Sequence, residues 1–194
     1  MKLACQCGKV RAEIRNPSSV RARRYVCYCD DCQAFARFLG GTERILDANG
    51  GTEVVPFYPA NIAFLEGTEF LQCMRLSPNG LYRWYAECCR TPVANCPRND
   101  KLPYAGVNHA FLAGDEKHRE AEFGPISGRI MGKFGRGNLP PGTPSKMSFK
   151  VIRETIPFLL KGRLLKLHRP TPFFRDGQPT MTPKVLTKEE RKDL

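Results

Sequence analysis

The distribution of cysteine is the feature of this sequence that most restricts its fold. The chain has nine cysteines in 194 residues, an odd number that excludes complete disulfide pairing within one chain. A chain of this length buries about 70% of its unfolded surface and does not need disulfides to fold. We therefore expect a reducing, cytoplasmic environment, in which clustered cysteines usually bind metal or take part in catalysis.

One group of cysteines predicts a metal site with an open position. Cys27, Cys29 and Cys32 offer three thiolates within six residues, with no histidine beside them. A catalytic zinc has three protein ligands and one open position, so this group suits a catalytic zinc ion. Two other interpretations stay open: simple packing, or a redox pair of Cys29 and Cys32 at a helix N-terminus, where the thiol pKa is lowered.

A second site is predicted from cysteines that lie far apart in the sequence. Cys5 and Cys7 offer only two ligands, whereas a structural zinc takes four. Cys88 and Cys89 are the first candidates to complete the site, and Cys96 is the next. Such a zinc would contribute about 10–16 kcal/mol of apparent binding free energy to folding.

The first hundred residues are typical of a mainly β fold with one short helix. Residues 9–15 alternate apolar and polar side chains, and Ser77 to Gly80 forms a strong turn signal between two strands. Asp30 or Asp31 can cap a helix that Gly40 ends. The predicted strands are Lys9–Arg15, Val20–Tyr28, Val54–Tyr58, Ile62–Leu65, Phe70–Leu76 and Leu81–Ala86, and the predicted helix is Cys32–Leu39.

The rest of the chain, residues 98–194, is predicted to be an extension of this domain, residues 1–97. Residues 124–144 are rich in Gly and Pro and favour turns. Residues 145–167 predict a helix, kinked or divided by Pro157 and Gly162. Its apolar stripe, which we expect to pack against the β part, consists of Phe149, Ile152, Ile156, Leu159, Leu160 and Leu164. Thr187 and Glu190 form a capping box for a last short helix.

The charge of the chain is uneven. The net charge is +12, and +10 of it falls in residues 117–194. This excess can attract nucleic acid, an acidic partner or an anionic small molecule, or it can simply favour solubility. Four phenylalanines that could stack on bases lie in this region: Phe134, Phe149, Phe173 and Phe174. No run approaches the 18 apolar residues of a membrane span and residues 1–5 show no signal peptide, so we expect no membrane partner.

The order of the cysteine motifs resembles a known family. A Cys-x-Cys-Gly motif at Cys5, a Cys-x-Cys-x-x-Cys motif at Cys27 and a cysteine before Thr91 and Pro92 follow one another. This pattern resembles the glutathione-dependent formaldehyde-activating (GFA) family, which includes the CENP-V-like zinc proteins, over about half of the chain. The resemblance implies coiled antiparallel β-sheets around zinc, with a partly helical C-terminal extension here.

The resemblance also implies ligands for the structural zinc. In the family, the first Cys-x-Cys and a later Cys-x-x-Cys-Gly hold this ion. Cys5, Cys7 and Cys89 match these motifs, whereas Ala86 and Arg90 stand where the family has the other cysteine and the glycine. The fourth ligand is therefore open. Cys88, Cys96 and water are the candidates for the fourth structural ligand.

The resemblance implies a catalytic role for the other group. Cys27, Cys29 and Cys32 match the family's catalytic zinc motif completely. The implied activity is that of a zinc-dependent carbon–sulfur lyase on a glutathione adduct, or another small thiol adduct, of an aldehyde. The alternative is a non-catalytic zinc-binding module for nucleic acid or a protein. Basic residues near the second motif that could attract an anionic thiol are Lys9, Arg23, Arg24 and Arg37.

Overall fold

The computed structural model of the chain describes residues 1–16 and 23–194. It contains 13 strands and five helices in these residues, which confirms the mainly β class with added helices. The strands are β1 (Lys2–Ala4), β2 (Arg11–Ile14), β3 (Arg24–Cys27), β4 (Thr52–Phe57), β5 (Ile62–Glu66), β6 (Leu71–Arg75), β7 (Tyr82–Ala86), β8 (Thr91–Cys96), β9 (Ala105–Asn108), β10 (Ile126–Ile130), β11 (Phe174–Arg175), β12 (Gln178–Pro179) and β13 (Lys184–Val185). The helices are α1 (Asp30–Phe38), α2 (Thr42–Ile45), α3 (Glu116–Phe123), α4 (Phe149–Leu164) and α5 (Lys188–Lys192).

Eight strands form the main sheet, in the order β10-β3-β4-β9-β8-β7-β6-β13. The interior pairs are antiparallel, as expected, whereas both edge strands, β10 and β13, pair in parallel. Strands β9, β10 and β13 come from residues 98–194, so both predicted regions of the chain contribute to this sheet. The start of the predicted strand Val20–Tyr28 lies outside the described residues, and its end is β3.

The main sheet shares its largest core with a smaller antiparallel sheet, β1-β2-β5. Val10, Ala12 and Ile14 of the predicted alternating segment are buried, and they belong to the same apolar cluster as Phe57 and Trp84 of the main sheet. The period-2 pattern of residues 9–15 therefore marks the side chains that join the two sheets.

Helices α1 and α4 cover the other face of the main sheet. Phe35 of α1 packs with Met74 and Tyr85, which lie on β6 and β7. Val151 of α4 packs with Tyr25 on β3, in a separate cluster. Cys27, at the end of β3, lies on the same face of the strand as Tyr25.

The inner side of α4 is held by close aromatic contacts. The rings of Tyr58 and Phe158 stack with centroids 4.2 Å apart, and the Tyr58 hydroxyl donates to the Phe158 carbonyl at 2.9 Å. Gly162 allows the helix to approach, because a Cβ there would lie 2.5 Å from the Tyr58 ring and 2.7 Å from Pro103.

Three details of the predicted helices are wrong. Residues 149–164 form one helix through Pro157, so the predicted division into two helices is wrong, and the N-cap of this helix is Ser148. The N-cap of α1 is Cys29, whereas Asp30 and Asp31 occupy its first turn. The expected packing of the α4 stripe is also wrong, because Phe149, Ile152, Ile156, Leu160 and Leu164 are exposed. The predicted capping box of Thr187 and Glu190 is confirmed at the start of α5.

The inner face of α4 explains the error about the stripe. Val151, Thr155, Phe158 and Gly162 have the same helical spacing as the predicted stripe but point to the opposite side of the helix. Only Val151 and Phe158 of these are large and apolar. The buried side of α4 therefore has fewer large apolar residues than the exposed side, and the sequence pattern points to the wrong side. No helix in the described ranges is both long and apolar enough to cross a bilayer.

Candidate metal centres

Four sulfur atoms converge where the N-terminal turn meets the turn between β7 and β8. The sulfurs of Cys5, Cys7, Cys88 and Cys89 all lie within 4.8 Å of one another. The Cys5–Cys7 distance is 3.6 Å, Cys5–Cys88 is 3.8 Å, Cys7–Cys88 is 3.3 Å and Cys88–Cys89 is 3.9 Å. The adjacent cysteines, Cys88 and Cys89, therefore both reach this four-cysteine group.

The backbone of the second turn makes this possible. Arg90 has a φ of +58°, in the left-handed region that glycine favours, and it stands where the GFA pattern has glycine. Its guanidinium donates to the Phe38 carbonyl at 2.6 Å and lies over the rings of Phe38 and Tyr85. These contacts hold Arg90 in a conformation that costs a non-glycine residue about 1 kcal/mol.

Neutral donors surround the four-cysteine group. The Val10 amide donates to the Cys5 sulfur at 3.2 Å, and the Thr91 hydroxyl lies 3.1 Å from the Cys89 sulfur. The Gln6 amide donates to the same hydroxyl at 3.1 Å, which joins the two turns. The Gln6–Thr91 bond links segments that are 85 residues apart in the sequence.

The thiols of this group differ in how readily they ionise. Burial raises the pKa of Cys5 and of Cys88. Burial also acts against ionisation of Cys89, but hydrogen bonds from Thr91 and Cys7 outweigh it and lower the pKa of Cys89 to about 6. Cys89 thus ionises more readily than Cys5 and Cys88, as expected for sulfurs that share one negative charge.

A second group of three sulfurs lies on the opposite face of the main sheet. The sulfurs of Cys27, Cys29 and Cys32 are within 4.8 Å of one another, and the Cys27–Cys29 distance is 3.3 Å. Cys27 ends β3, and Cys32 lies in the first turn of α1. Cys27 and Cys32 are buried, whereas Cys29 is partly exposed and gives this three-cysteine group its access to solvent.

A buried arginine lies beside the three-cysteine group. The Arg83 guanidinium is 4.0 Å from the Cys32 sulfur, and its side chain is 2% exposed. It donates to the Asn95 side chain at 3.3 Å, pairs with Asp31 at 3.7 Å and lies over the Phe35 ring. The sequence analysis missed Arg83, because it comes from β7, some fifty residues after the motif it serves.

Charge around this group favours one thiolate. Hydrogen bonds from Cys27 and Cys29 lower the pKa of Cys32, burial opposes them, and the positive charge of Arg83 lowers it further. The hydrogen bond with Cys29 is the largest cause that raises the pKa of Cys27. Arg83 therefore provides the positive charge beside the thiolates that the sequence analysis assigned to residues closer to the cysteine motif.

Three of the four basic residues named from the sequence are used elsewhere. Arg24 is buried on the other face of β3, where its guanidinium holds both carboxylate oxygens of Glu53 at 2.6 and 3.1 Å. Arg23 pairs with Glu154 of α4, and Lys9 lies over the Phe70 ring. The Arg24–Glu53 pair adjoins Cys27 along the β3–β4 ladder and fixes the strand that carries this ligand.

The two remaining cysteines are core residues. Cys73 and Cys96 are buried in the apolar cluster between the sheets, and neither belongs to a group of converging sulfurs. Burial raises the pKa of Cys96, and it raises the pKa of Cys73 to about 12. Cys96 therefore does not supply the open fourth ligand of the predicted structural site, and Cys88 takes that place among the converging sulfurs.

The donor sets fit a soft, tetrahedral metal ion. With zinc–sulfur bonds of 2.3 Å, tetrahedral sulfurs are about 3.8 Å apart. Four of the distances in the four-cysteine group and the Cys27–Cys29 distance, 3.3 to 3.9 Å, lie close to this value. All other sulfur pairs within each group are within 4.8 Å. Both groups can hold a metal ion. One would surround the ion with four thiolates and the other would leave a position free.

Fold and sites together define a mainly β protein with two cysteine-rich centres that can hold metal. The chain belongs to the family described as "Family of unknown function (DUF6151)", whose model matches residues 1–183. No curated protein matches it. Among solved structures it is similar to the crystal structure of a Rhodobacter sphaeroides protein, a Northeast Structural Genomics target. That similarity has 21% identity and a TM-score of 0.42, and it covers 65% of this chain and 97% of that one.

Proposed function

We propose that the protein is a zinc-dependent carbon–sulfur lyase that acts on a small thiol adduct of an aldehyde, such as a glutathione adduct. The observation that carries this proposal is the unequal ligand number of the two groups. Four sulfurs complete a structural site, whereas three leave a position for a substrate sulfur. The resemblance of the cysteine motifs to the GFA family supports the same assignment.

In this proposal the ion is held by Cys27, Cys29 and Cys32. Zinc there supplies Lewis-acid chemistry, which lowers the pKa of a thiol at the open position. Three thiolates and Zn²⁺ carry a net charge of −1, and Arg83 stands next to Cys32 to balance it. The buried guanidinium also favours the approach of an anionic thiol from the side of Cys29, which is partly exposed.

The proposed reaction divides a hemithioacetal. The hydroxyl of the adduct loses its proton as the carbonyl forms, the carbon–sulfur bond breaks, and the sulfur leaves with the bonding electrons and takes up a proton. A cavity between α4 and the sheet is lined by Tyr25, Tyr104 and Glu154, on the face of β3 that also presents Cys27. Burial raises the pKa of both tyrosines, so both phenols stay protonated at neutral pH. The Tyr25 hydroxyl donates to Glu154, whereas the Tyr104 hydroxyl can donate a hydrogen bond to a carbonyl oxygen.

Zinc content and turnover test the proposal together. We expect two zinc ions per chain, and formation or cleavage of an S-hydroxymethyl thiol adduct by the zinc-loaded protein. Cys29→Ser should abolish turnover and retain the ion of the four-cysteine group. Cys73→Ala removes a buried thiol outside both groups and serves as the matched control, with two ions and near-normal turnover. Full turnover by Cys29→Ser would contradict the assignment.

The non-catalytic zinc module is the alternative. Fewer aromatic side chains are available to stack on bases than the sequence suggests, because Phe173 is fully buried. The centroid of the Phe173 ring lies 5.3 Å from that of the Trp84 ring. Binding of nucleic acid through the basic region predicts affinity that falls steeply with salt. A salt-dependent complex without any turnover would favour this alternative.

A further inference from the structure

The outer face of α4 is an exposed apolar surface without a partner among the described residues. It is defined by Phe149, Ile152, Ile156, Leu160 and Leu164, whose exposed fractions are 77%, 41%, 51%, 59% and 81%. A helix of 16 residues is about 24 Å long, and these side chains recur every three or four residues along its whole length. Scattered exposed apolar residues are ordinary, but a continuous stripe on one helix marks an interaction surface.

The charges on this side of the helix have one sign. Four basic residues of α4 are exposed: Lys150, Arg153, Lys161 and Arg163. Lys150 also donates to the Ser127 carbonyl at 3.1 Å, and Arg163 donates to the Lys101 carbonyl at 3.4 Å. The helix has a single acidic residue, Glu154, which is turned inward and accepts a hydrogen bond from the Tyr25 hydroxyl at 3.0 Å. The outer face is therefore apolar and cationic, and the partner it fits must be apolar and anionic.

We propose that the outer face of α4 binds the surface of an anionic phospholipid membrane. An amphipathic helix with large apolar side chains and flanking Lys and Arg lies in the plane of the bilayer interface, with its apolar side buried among the acyl chains. The basic side chains reach the phosphate groups, and their long stems can stay in the apolar layer. Such a helix requires no membrane-spanning segment, so it is compatible with the finding that no described helix can cross a bilayer. The proposal replaces the expectation of no membrane partner, which rested on the lack of a membrane span and of a signal peptide.

The same charges disfavour a second copy of the chain as the partner. An antiparallel α4 pair that set Ile156 of one copy against Leu160 of the other would also set Arg153 beside Arg163, at both ends of the contact. Two pairs of like charges at an apolar interface oppose association. An anionic lipid surface has the opposite charge and satisfies the arginines.

Vesicle flotation with the full, zinc-loaded chain tests the proposal. We expect binding to phosphatidylcholine vesicles that contain about 30% phosphatidylglycerol, and little binding to phosphatidylcholine alone. Equal binding to both vesicles, or binding to neither, would overturn it. So would a protein that is dimeric by light scattering and becomes monomeric when the outer face is made polar, since the occupant would then be a second copy.

Two pairs of variants separate the apolar and the charged contributions. Ile156→Ser with Leu160→Ser should weaken vesicle binding by roughly tenfold for each side chain removed. The matched control is Leu65→Ser with Val185→Ser, two exposed apolar residues elsewhere, which should leave binding unchanged. Lys150→Gln with Arg153→Gln should weaken binding by about fivefold for each charge. The charge control, Lys117→Gln with Lys192→Gln, should change it far less, and an equal loss in both pairs would contradict a specific α4 surface.

Discussion

The two cysteine groups lie on opposite faces of one sheet and are supported in different ways. The four-cysteine group is assembled from two turns, and backbone amides and the Thr91 hydroxyl are its nearest donors. The three-cysteine group joins a strand end to a helix start, and the buried cation Arg83 contacts it. In the proposed function, this difference in ligand number and local charge separates two roles: the first group closes the fold, and the second binds an anionic thiol.

The largest expected effect comes from opening the four-cysteine group. Cys7 is exposed, so Cys7→Ser removes a ligand and hardly any packing. In zinc-loaded protein we expect a loss of roughly 4 kcal/mol in the free energy of unfolding, because metal binding contributes directly to folding. Cys29→Ser should cost only about 1 kcal/mol, as it affects the group with the open position.

Denaturant titration with and without a chelator measures this contrast. After zinc is removed, Cys7→Ser and the unmodified chain should have the same stability. A stability gap that persisted in chelator would show that Cys7 acts through packing, and equal costs for Cys7→Ser and Cys29→Ser would remove the distinction between the groups.

The next effect concerns the strand that carries Cys27. Arg24 lowers the pKa of the buried Glu53 carboxyl against the opposing effect of burial. A carboxyl with a lowered folded pKa stabilises the fold above its ordinary pKa near 4.5 and loses this contribution as the pH falls through the folded value. Glu53→Gln should therefore cost about 3 kcal/mol at pH 7.

This cost should shrink between pH 7 and an acidic pH below the lowered folded pKa of Glu53, because the carboxyl is protonated there in the unmodified chain. Thermal or chemical unfolding at both pH values gives the result. Glu66→Gln, at an exposed ion pair with Arg11, is the control and should cost well under 1 kcal/mol at either pH. A cost of Glu53→Gln that is independent of pH would exclude the ion pair as its cause.

A smaller effect is expected on zinc affinity when the positive charge of Arg83 beside the three-cysteine group is removed. Arg83→Met should weaken zinc binding at the three-cysteine group by roughly tenfold at neutral pH, because the thiolates lose a nearby cation. The four-cysteine group should keep its affinity. Competition with a colorimetric chelator resolves the two ions, and Arg75→Met, which removes a buried cation from the neighbouring strand, is the control. Parallel losses at both groups would argue for a general structural effect.

The smallest effect tests the turn of the four-cysteine group. Arg90→Gly relieves the left-handed backbone but loses the contacts with Phe38, whereas Arg90→Ala loses the same contacts and relieves nothing. We expect the glycine variant to be about 1 kcal/mol more stable than the alanine variant in urea unfolding. Equal stability of the two would show that the turn carries no backbone strain.

The sequence predicted the parts of this molecule that depend on local pattern. The alternation of apolar and polar residues predicted that Val10, Ala12 and Ile14 lie on the buried face of a strand. The turn residues from Ser77 to Gly80 predicted the hairpin of β6 and β7. Close spacing marked Cys27, Cys29 and Cys32, whose sulfurs the structure brings together. In each case the signal and the structure span only a few residues, so neighbouring chain segments did not have to be known.

The rest depended on pairings between distant segments. Nothing in the sequence near the motif indicates that Arg83 meets Cys32, because a single arginine in a strand has many possible partners. The prediction of which side of α4 is buried was wrong for a related reason. Phe158 and Gly162 fit the Tyr58 ring, and this specific fit placed the more apolar side of the helix outward.

The position of β9 has a consequence for the order in which the protein assembles. β9 lies between β4 and β8, and it connects the half of the sheet that carries Cys27 to the half that carries Arg83. As the chain emerges from the ribosome, β3 and β4 of one half and β6, β7 and β8 of the other are synthesised before the strand that connects them. β9 must be synthesised as far as Asn108 before Arg83 can be held beside the sulfurs of the three-cysteine group. The thiols of that group are therefore present on the nascent chain well before Arg83 restrains them.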